Sequence, residues 1–192
     1  MGFGVMSVLT KENWVAAGLE ILKLKGYAEL SIVRLSNQLG VTRGSFYHHF
    51  KSLNHFIDAM IDSWEERIVN KGFEQTLTDE KHPEIEFKNL ISYVTQLHDK
   101  YDLVFRQWAP SNPHVKKHME RLDKKRMGRL VELMQRLSND KAEGEKLAKI
   151  AFYAYIGSLH TFPYLNAAQQ KKAAVDMLEV ILGYLENAKQ NN

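Results

Sequence analysis

The chain has 192 residues, of which 44% are hydrophobic and 26% are charged. This composition is too apolar for a disordered chain, and no apolar run approaches the ~18 residues that a membrane helix needs. Because the sequence contains no cysteine, it excludes disulfides, thiolate nucleophiles and thiolate metal sites. The N-terminus lacks the basic start and the long apolar stretch of a signal peptide. We therefore expect one or two small domains in the cytoplasm, without a membrane partner.

The surplus of positive charge is small but confined to the first third of the chain. Residues 1–57 contain six basic and three acidic side chains, whereas residues 58–192 contain 20 of each. No acidic residue occurs between Arg34 and Lys51, a segment that also contains two adjacent histidines. A phosphate backbone would be attracted to such a segment.

Apolar residues recur three and four positions apart in nearly every segment, and all four prolines lie beyond residue 80. This pattern predicts an all-α fold of about nine helices. Capping residues and glycines divide the first part of the chain into four of them. The first runs from Thr10 to Gly26, the second from Ser31 to Gly40, the third from Thr42 to about His49, and the fourth from Ser52 until it fades near Gly72.

The second part of the chain begins with a polar stretch, 72–83, which we predict to be a linker. Helical periodicity then predicts five helices, near 84–100, 102–109, 114–138, 140–162 and 167–188. The last two are apolar around most of their circumference, whereas a surface helix needs only one apolar stripe. We predict that these two helices pack against a second copy of the chain and form a homodimer.

Residues 31–50, SIVRLSNQLGVTRGSFYHHF, combine a helix, a turn with glycine and a second short helix. This is the pattern of a helix-turn-helix, whose second helix lies in the major groove of DNA. Arg43 can offer two donors to a guanine edge, and Gly44 removes a side chain where the backbone would approach DNA. Four further side chains can donate to phosphates: Ser45, Tyr47, His48 and Lys51. The alternative is an ordinary three-helix domain in which Arg43 points into water.

Two sequence features carry a family resemblance. The first helix ends in Gly26-Tyr27, and residues 40–50, GVTRGSFYHHF, continue with Gly-Val and then Ser/Thr-x-Gly-Ser/Thr-apolar-Tyr-x-His/Tyr-Phe. In these features the chain resembles the tetracycline-repressor (TetR) family of bacterial transcription regulators. The resemblance implies a helix-turn-helix domain, here 1–55 with the start of a linking helix after residue 52. It also implies a helical domain for ligand binding and dimerisation, here 56–192.

The resemblance assigns expected roles within the third helix. It implies that this helix is the recognition helix, that Tyr47 contacts a phosphate, and that Thr42, Arg43 and Ser45 face the operator. The full predicted DNA-binding set is Arg34, Thr42, Arg43, Gly44, Ser45, Tyr47, His48 and Lys51. The chain departs from the family at Leu53, where the family usually has a phosphate-binding lysine, and Lys51 or His55 can substitute for it. Ser36 stands where the family commonly has alanine.

The resemblance further implies a ligand-responsive repressor that binds a pseudo-palindromic operator as a dimer. Its small-molecule effector would bind in a cavity among the later helices. Residues there that suit an apolar pocket with polar handles are Tyr93, His98, Phe105, Trp108, Met127, Phe152, Tyr155 and His160. Aromatic and methionine residues at helical spacing are also typical of an ordinary core. We also expect Arg106 to pair with Asp123, either as a structural clamp or as part of a ligand site.

Two other clusters have simpler explanations. His114 and His118 have the spacing of a zinc pair on a helix, but a solvated helix start explains them as well, and we predict neither a metal nor another cofactor. The basic residues between 121 and 129 alternate with acids, which is typical of a solvated helix face. The predicted protein is a regulator and not an enzyme. Control by a protein partner, a helical metal protein or enzyme that uses His114 and His118, and a purely structural dimer remain as alternatives.

Overall fold

The computed structural model describes residues 9–76, 82–97 and 100–190. All regular structure in these ranges is helical, which confirms the predicted all-α class. The α-helices are α1 (Lys11–Lys25), α2 (Ile32–Leu39), α3 (Arg43–His49), α4 (Leu53–Trp64), α5 (Lys71–Thr76), α6 (Pro83–Leu97), α7 (Lys100–Trp108), α8 (Pro113–Ser138), α9 (Lys141–Ser158) and α10 (Ala167–Gln190). A π-helical segment, Glu65–Asn70, joins α4 to α5 without a break. The described ranges therefore contain nine helical rods, none of which is long and apolar enough to span a membrane.

Side-chain caps start the helices where the sequence predicts them. The Thr10 side chain accepts a hydrogen bond from the backbone N–H of Asn13, and the Asn13 side chain accepts one from the N–H of Thr10. The Ser31 hydroxyl caps α2, and the Ser52 hydroxyl accepts from the N–H of His55 in the first turn of α4. These bonds satisfy backbone donors that have no partner within the helix.

Two expectations about the helix ends are wrong. Thr42 occupies the N-cap of α3, but its side chain makes no capping hydrogen bond. The helix that begins after Ser52 also does not fade at Gly72, because α5 continues to Thr76. A Cβ atom at residue 72 would lie 2.1 Å from the ring of Tyr93, so this glycine makes room for an aromatic side chain. The predicted linker is thus helical through Thr76, and its residues 77–81 lie outside the described part of the chain.

The chain forms two compact units. The first contains residues 1–64 and 100–118, and the second contains residues 65–99 and 119–192. In the first unit, α1 packs against α2, α4 and α7. Helix α7 therefore packs with the N-terminal helices, although it lies far beyond the predicted boundary of the DNA-binding domain. That boundary, at residue 55, is a functional assignment and stays a prediction.

The core of the second unit is built by four helices. Its buried side chains come from α6, α8, α9 and α10, and α10 packs against both α6 and α9. The most deeply buried members are Phe87, Leu133, Met134 and Ala148. Several large apolar side chains of α9 and α10 are exposed outside this core.

Candidate nucleic-acid interface

The turn between α2 and α3 depends on a glycine. Gly40 has a φ of 67°, in the left-handed region that favours glycine. Its N–H and that of Val41 both donate to the carbonyl of Ser36 near the end of α2. These bonds close the helix end and leave only residues 40–42 between the two helices. The predicted helix-turn-helix is thus present, with both helices close to their predicted bounds.

Helix α3 is fixed by aromatic packing on one side. Phe46 is fully buried, and its ring centroid lies 5.4 Å from that of Trp14 in α1 and 5.6 Å from that of Phe56 in α4. Phe50, just after α3, also packs against Phe56, at 5.0 Å. Such edge-to-face pairs add about 0.5–1.5 kcal/mol each to the burial of apolar area. Because the rings meet α1 and α4, they determine which side of α3 faces solvent.

The opposite side of α3 carries the predicted DNA-binding residues. Tyr47 is 59% exposed although it is aromatic. Five other members of the set are exposed, and Ser45 is half-buried on the same short segment. The exposed five are Thr42, Arg43, Gly44, His48 and Lys51. The structure therefore brings these seven residues together on the exposed side of α3 and its flanks, while their contacts with DNA stay a prediction.

Arg34 has a different environment from the rest of the set. Its guanidinium forms an ion pair with Glu29, and both side chains are 42% exposed. Exposed pairs of this kind contribute little to stability and can exchange partners. Arg34 is therefore held by a carboxylate in the free protein.

His55, in the first turn of α4, is a candidate substitute for the lysine that the sequence lacks at Leu53, and this role stays a prediction. The backbone N–H of Lys51 donates to Nδ1 of His55 at 3.2 Å. A neutral histidine that accepts at Nδ1 carries its proton on Nε2, which makes the outer nitrogen a donor. His55 also packs edge-on against Phe50, with ring centroids 5.8 Å apart. The structure thus orients His55 so that one nitrogen can donate to a phosphate.

The proposed effector residues are divided between the two units. Phe105 and Trp108 belong to the first unit, where Phe105 packs against Trp64 and Trp108 stacks on Tyr27 at 5.6 Å. The second unit contains five of the others: Phe152, Met127, Tyr155, Tyr93 and His160. Only Phe152 is part of the buried core, and His160 is exposed. His98 lies outside the described residues. Whether these residues line a pocket stays a prediction.

Two carboxylates are buried beside arginines. Asp102 is 1% exposed, and one of its oxygens lies 2.8 Å from Nε of Arg106 on the next turn of α7. In the second unit Glu86 is also 1% exposed and pairs with Arg136 of α8, while its Oε1 atom has no hydrogen-bond partner among the described residues. The partner that we expected for Arg106 is Asp123, and that pairing stays a prediction.

The two histidines at the start of α8 meet a carboxylate that the sequence did not associate with them. Nε2 of His114 and Nε2 of His118 each lie 2.5 Å from Oδ1 of Asp58 in α4. Partial burial opposes ionisation of Asp58, but the hydrogen bond from His118 and the charge of His114 outweigh it and hold the pKa of Asp58 below its usual value. No sequence pattern connects Asp58 to these two histidines, which follow it by 56 and 60 residues.

A comparison with known protein families identifies the type of this helix-turn-helix. Residues 15–60, from α1 into α4, match the family model described as bacterial regulatory proteins, tetR family. Residues 15–60 are thus similar to the helix-turn-helix region of the TetR family. This match confirms the resemblance to the TetR family over the segment that contains the helix-turn-helix. The match covers Phe46 and Phe56 of the aromatic core and the exposed side of α3.

Three known proteins are similar to the chain in sequence or in fold. Over 68 residues the chain is 31% identical to the transcriptional regulator AcuR of Cereibacter sphaeroides, a match that covers 34% of this chain and 31% of AcuR. The chain thus matches only about a third of that relative's length. A TetR-family regulator from Streptomyces coelicolor has the same fold with a TM-score of 0.77 and 13% identity, over 90% of this chain and 93% of the other. A transcriptional regulator from Rhodococcus sp. Rha1 has the same fold with a TM-score of 0.69 and 14% identity, over 91% of this chain and 97% of the other.

The departure from the TetR pattern at Ser36 generates a stability prediction. Ser36 is 2% exposed, and its hydroxyl has no hydrogen-bond partner among the described residues. We expect Ser36→Ala to raise the free energy of unfolding by about 1–3 kcal/mol, since a buried unsatisfied hydroxyl costs that much. The measurement is urea unfolding followed by circular dichroism.

Ser31→Ala is the matched control at the other end of α2. It removes a capping hydroxyl that accepts from the N–H of Arg34, so we expect a loss of about 1 kcal/mol. Changes of opposite sign in the free energy of unfolding for Ser36→Ala and Ser31→Ala would support the environments assigned to the two serines. A destabilised Ser36→Ala variant would show that the buried hydroxyl has a partner.

Proposed function

We propose that this TetR-family regulator is a repressor that binds a pseudo-palindromic operator as a homodimer. Each subunit would place α3 in the major groove, in successive grooves about one helical turn apart. The observation that supports this proposal most is the contrast between the two sides of α3, with Phe46 buried and Arg43 and Tyr47 exposed. A helix of this kind is held rigidly while its donors remain free to meet DNA.

The exposed donors would divide the work of binding. Arg43 lies at the first position of α3, where a recognition helix meets base edges, and its planar guanidinium can pair with a guanine through two hydrogen bonds. Lys51, His48 and Tyr47 would donate to phosphates, which fix the position of the helix but carry no sequence information. Arg34 would exchange its pairing with Glu29 for a phosphate when DNA binds.

Dimerisation would use α9 and α10, as the sequence predicts. Both helices expose large apolar side chains that the core of the second unit does not cover. In α9, Ile150 is 52% and Tyr153 is 62% exposed, and in α10, Val180 is 71% and Tyr184 is 45% exposed. The four residues occupy positions three or four apart on their helices, so each helix presents a continuous apolar stripe. Such stripes are typical of a surface that packs against an identical copy.

A small-molecule effector would act from the second unit. It would lower operator affinity by binding better to a conformation in which the two recognition helices no longer match the DNA. The buried Glu86, whose Oε1 atom has no hydrogen-bond partner among the described residues, would add a polar anchor. The proposal assigns no catalytic role to the chain, and it places the protein in the cytoplasm with the DNA that it binds.

We expect Arg43→Ala to reduce discrimination between an operator and random DNA by about 1–3 kcal/mol, the value of one bidentate base contact. Fluorescence anisotropy at one fixed salt concentration measures both affinities, because salt alone changes them strongly. Arg129→Ala is the matched control, since it removes the same charge from an exposed pair in α8. If Arg43→Ala and Arg129→Ala discriminate equally well, Arg43 does not read the operator.

For the dimer, we expect Val180→Asp to shift the equilibrium towards monomer by at least ~2 kcal/mol, because each interface would bury carboxylates without partners. Sedimentation equilibrium gives the dissociation constant. Leu24→Asp is the control, since Leu24 is 68% exposed in the first unit and lies outside the proposed interface. A Val180→Asp protein as dimeric as the wild type would place the interface elsewhere.

For the effector, a thermal-shift screen of small molecules should yield a compound that raises Tm, since a ligand of the folded state stabilises it. The same compound should weaken operator binding in the anisotropy assay. If stabilising compounds leave operator affinity unchanged, and a protein from the source cell releases the operator instead, control by a protein partner is the better account.

A further inference from the structure

The cluster of Asp58, His114 and His118 lies outside the proposed DNA contacts. Asp58 comes from α4, while the two histidines lie one turn apart at the start of α8, all in the first unit. Their side chains are 31%, 34% and 14% exposed, so the cluster is partly sheltered but open on one side. One ligand atom from each of the three residues lies within 4.8 Å of the others.

Two imidazoles share one carboxylate oxygen in this cluster. Nε2 of His114 and Nε2 of His118 both lie 2.5 Å from Oδ1 of Asp58. Nε2 of His114 is closed to solvent, and its contact with Asp58 does not have hydrogen-bond geometry. One oxygen of Asp58 is thus shared by two imidazole nitrogens, which brings three potential ligand atoms together.

The spacing fits a small cation after a modest adjustment. Ligands at the 2.0–2.1 Å of zinc–nitrogen bonds lie about 3.3 Å apart in a tetrahedral site. The nitrogens would need to move away from Asp58 by less than about 1 Å, within the reach of half-exposed side-chain rotations. Lys116 and Lys117, which lie between the histidines in sequence, are exposed to solvent.

The donor set selects the type of cation. Two imidazoles and one carboxylate suit zinc and its neighbours among the transition metals. Magnesium and calcium prefer six or more oxygen ligands, which the cluster does not provide. Three protein ligands would leave one position for water, and the exposed side of the cluster has room for it.

We propose that Asp58, His114 and His118 form a binding site for a divalent transition-metal ion of the zinc type. The ion would tie α4 to the first turns of α8 within the first unit. Helix α4 begins only a few residues after α3, so the site lies one helix away from the proposed recognition helix. The proposal concerns metal binding alone and does not depend on the DNA-binding role.

The test uses full-length protein without a histidine tag, stripped with EDTA and titrated with Zn²⁺ against a chromophoric chelator. We expect one tight equivalent in the wild type. His118→Gln and His114→Gln should each weaken zinc binding by at least about 100-fold, beyond the 10- to 100-fold typical of losing an outer partner of a metal ligand. Asp58→Asn should weaken it by at least about 10-fold.

His160→Gln is the matched control, because His160 is exposed and belongs to the second unit; we expect its zinc affinity within about twofold of wild type. Circular dichroism in EDTA checks that each variant is folded. Co²⁺ provides a readout that needs no variant, since a four- or five-coordinate site with nitrogen ligands gives visible absorption bands that Zn²⁺ then abolishes. Absence of a tight equivalent in the wild type, equal affinity in the folded ligand variants, or equal competition by Mg²⁺ would overturn the proposal.

Discussion

The packing of Phe46 against Trp14 and Phe56 is the contact on which the proposed function depends. Each of these rings is fully buried, and truncating one to alanine in such a core costs about 3–5 kcal/mol. The rings come from α1, α3 and α4, so their contacts fix a helix of only seven residues that would not be stable alone. Phe46 points into this core, whereas Arg43 and Tyr47 of the same helix are exposed. The core thus sets the orientation of the surface that would meet DNA.

Many features of this arrangement were predictable because they depend on local chemistry. Thr10, Ser31 and Ser52 cap helices through hydrogen bonds within four residues, and Gly40 ends α2 through its own backbone conformation. The match to the TetR family model covers residues 15–60, which include Ser31, Gly40 and Ser52. Helix periodicity likewise gave α6 to α10 close to their final bounds, since each has one face that must be buried.

Other features could not be predicted because they join residues that are distant in sequence. The contacts of His114 and His118 with Asp58 depend on how α8 meets α4, which neither helix specifies alone. The close approach of the Tyr93 ring to Gly72 likewise joins two different helices. The burial of Ser36, whose hydroxyl lacks a hydrogen-bond partner among the described residues, depends on the side chains that pack around it. Such long-range contacts decide local chemistry. The helical spacing of His114 and His118 alone does not reveal that Asp58 lies beside both of them.

The central claim is that α3 reads a specific, symmetric DNA sequence. Selection of bound duplexes from a random pool by the wild-type protein tests it most directly, since it assumes no operator. The account predicts enrichment of a pseudo-palindrome whose half-sites lie about one helical turn, or 10–10.5 base pairs, apart. Recovery of sequences no different from the starting pool, under salt conditions where non-specific binding is weak, would contradict it.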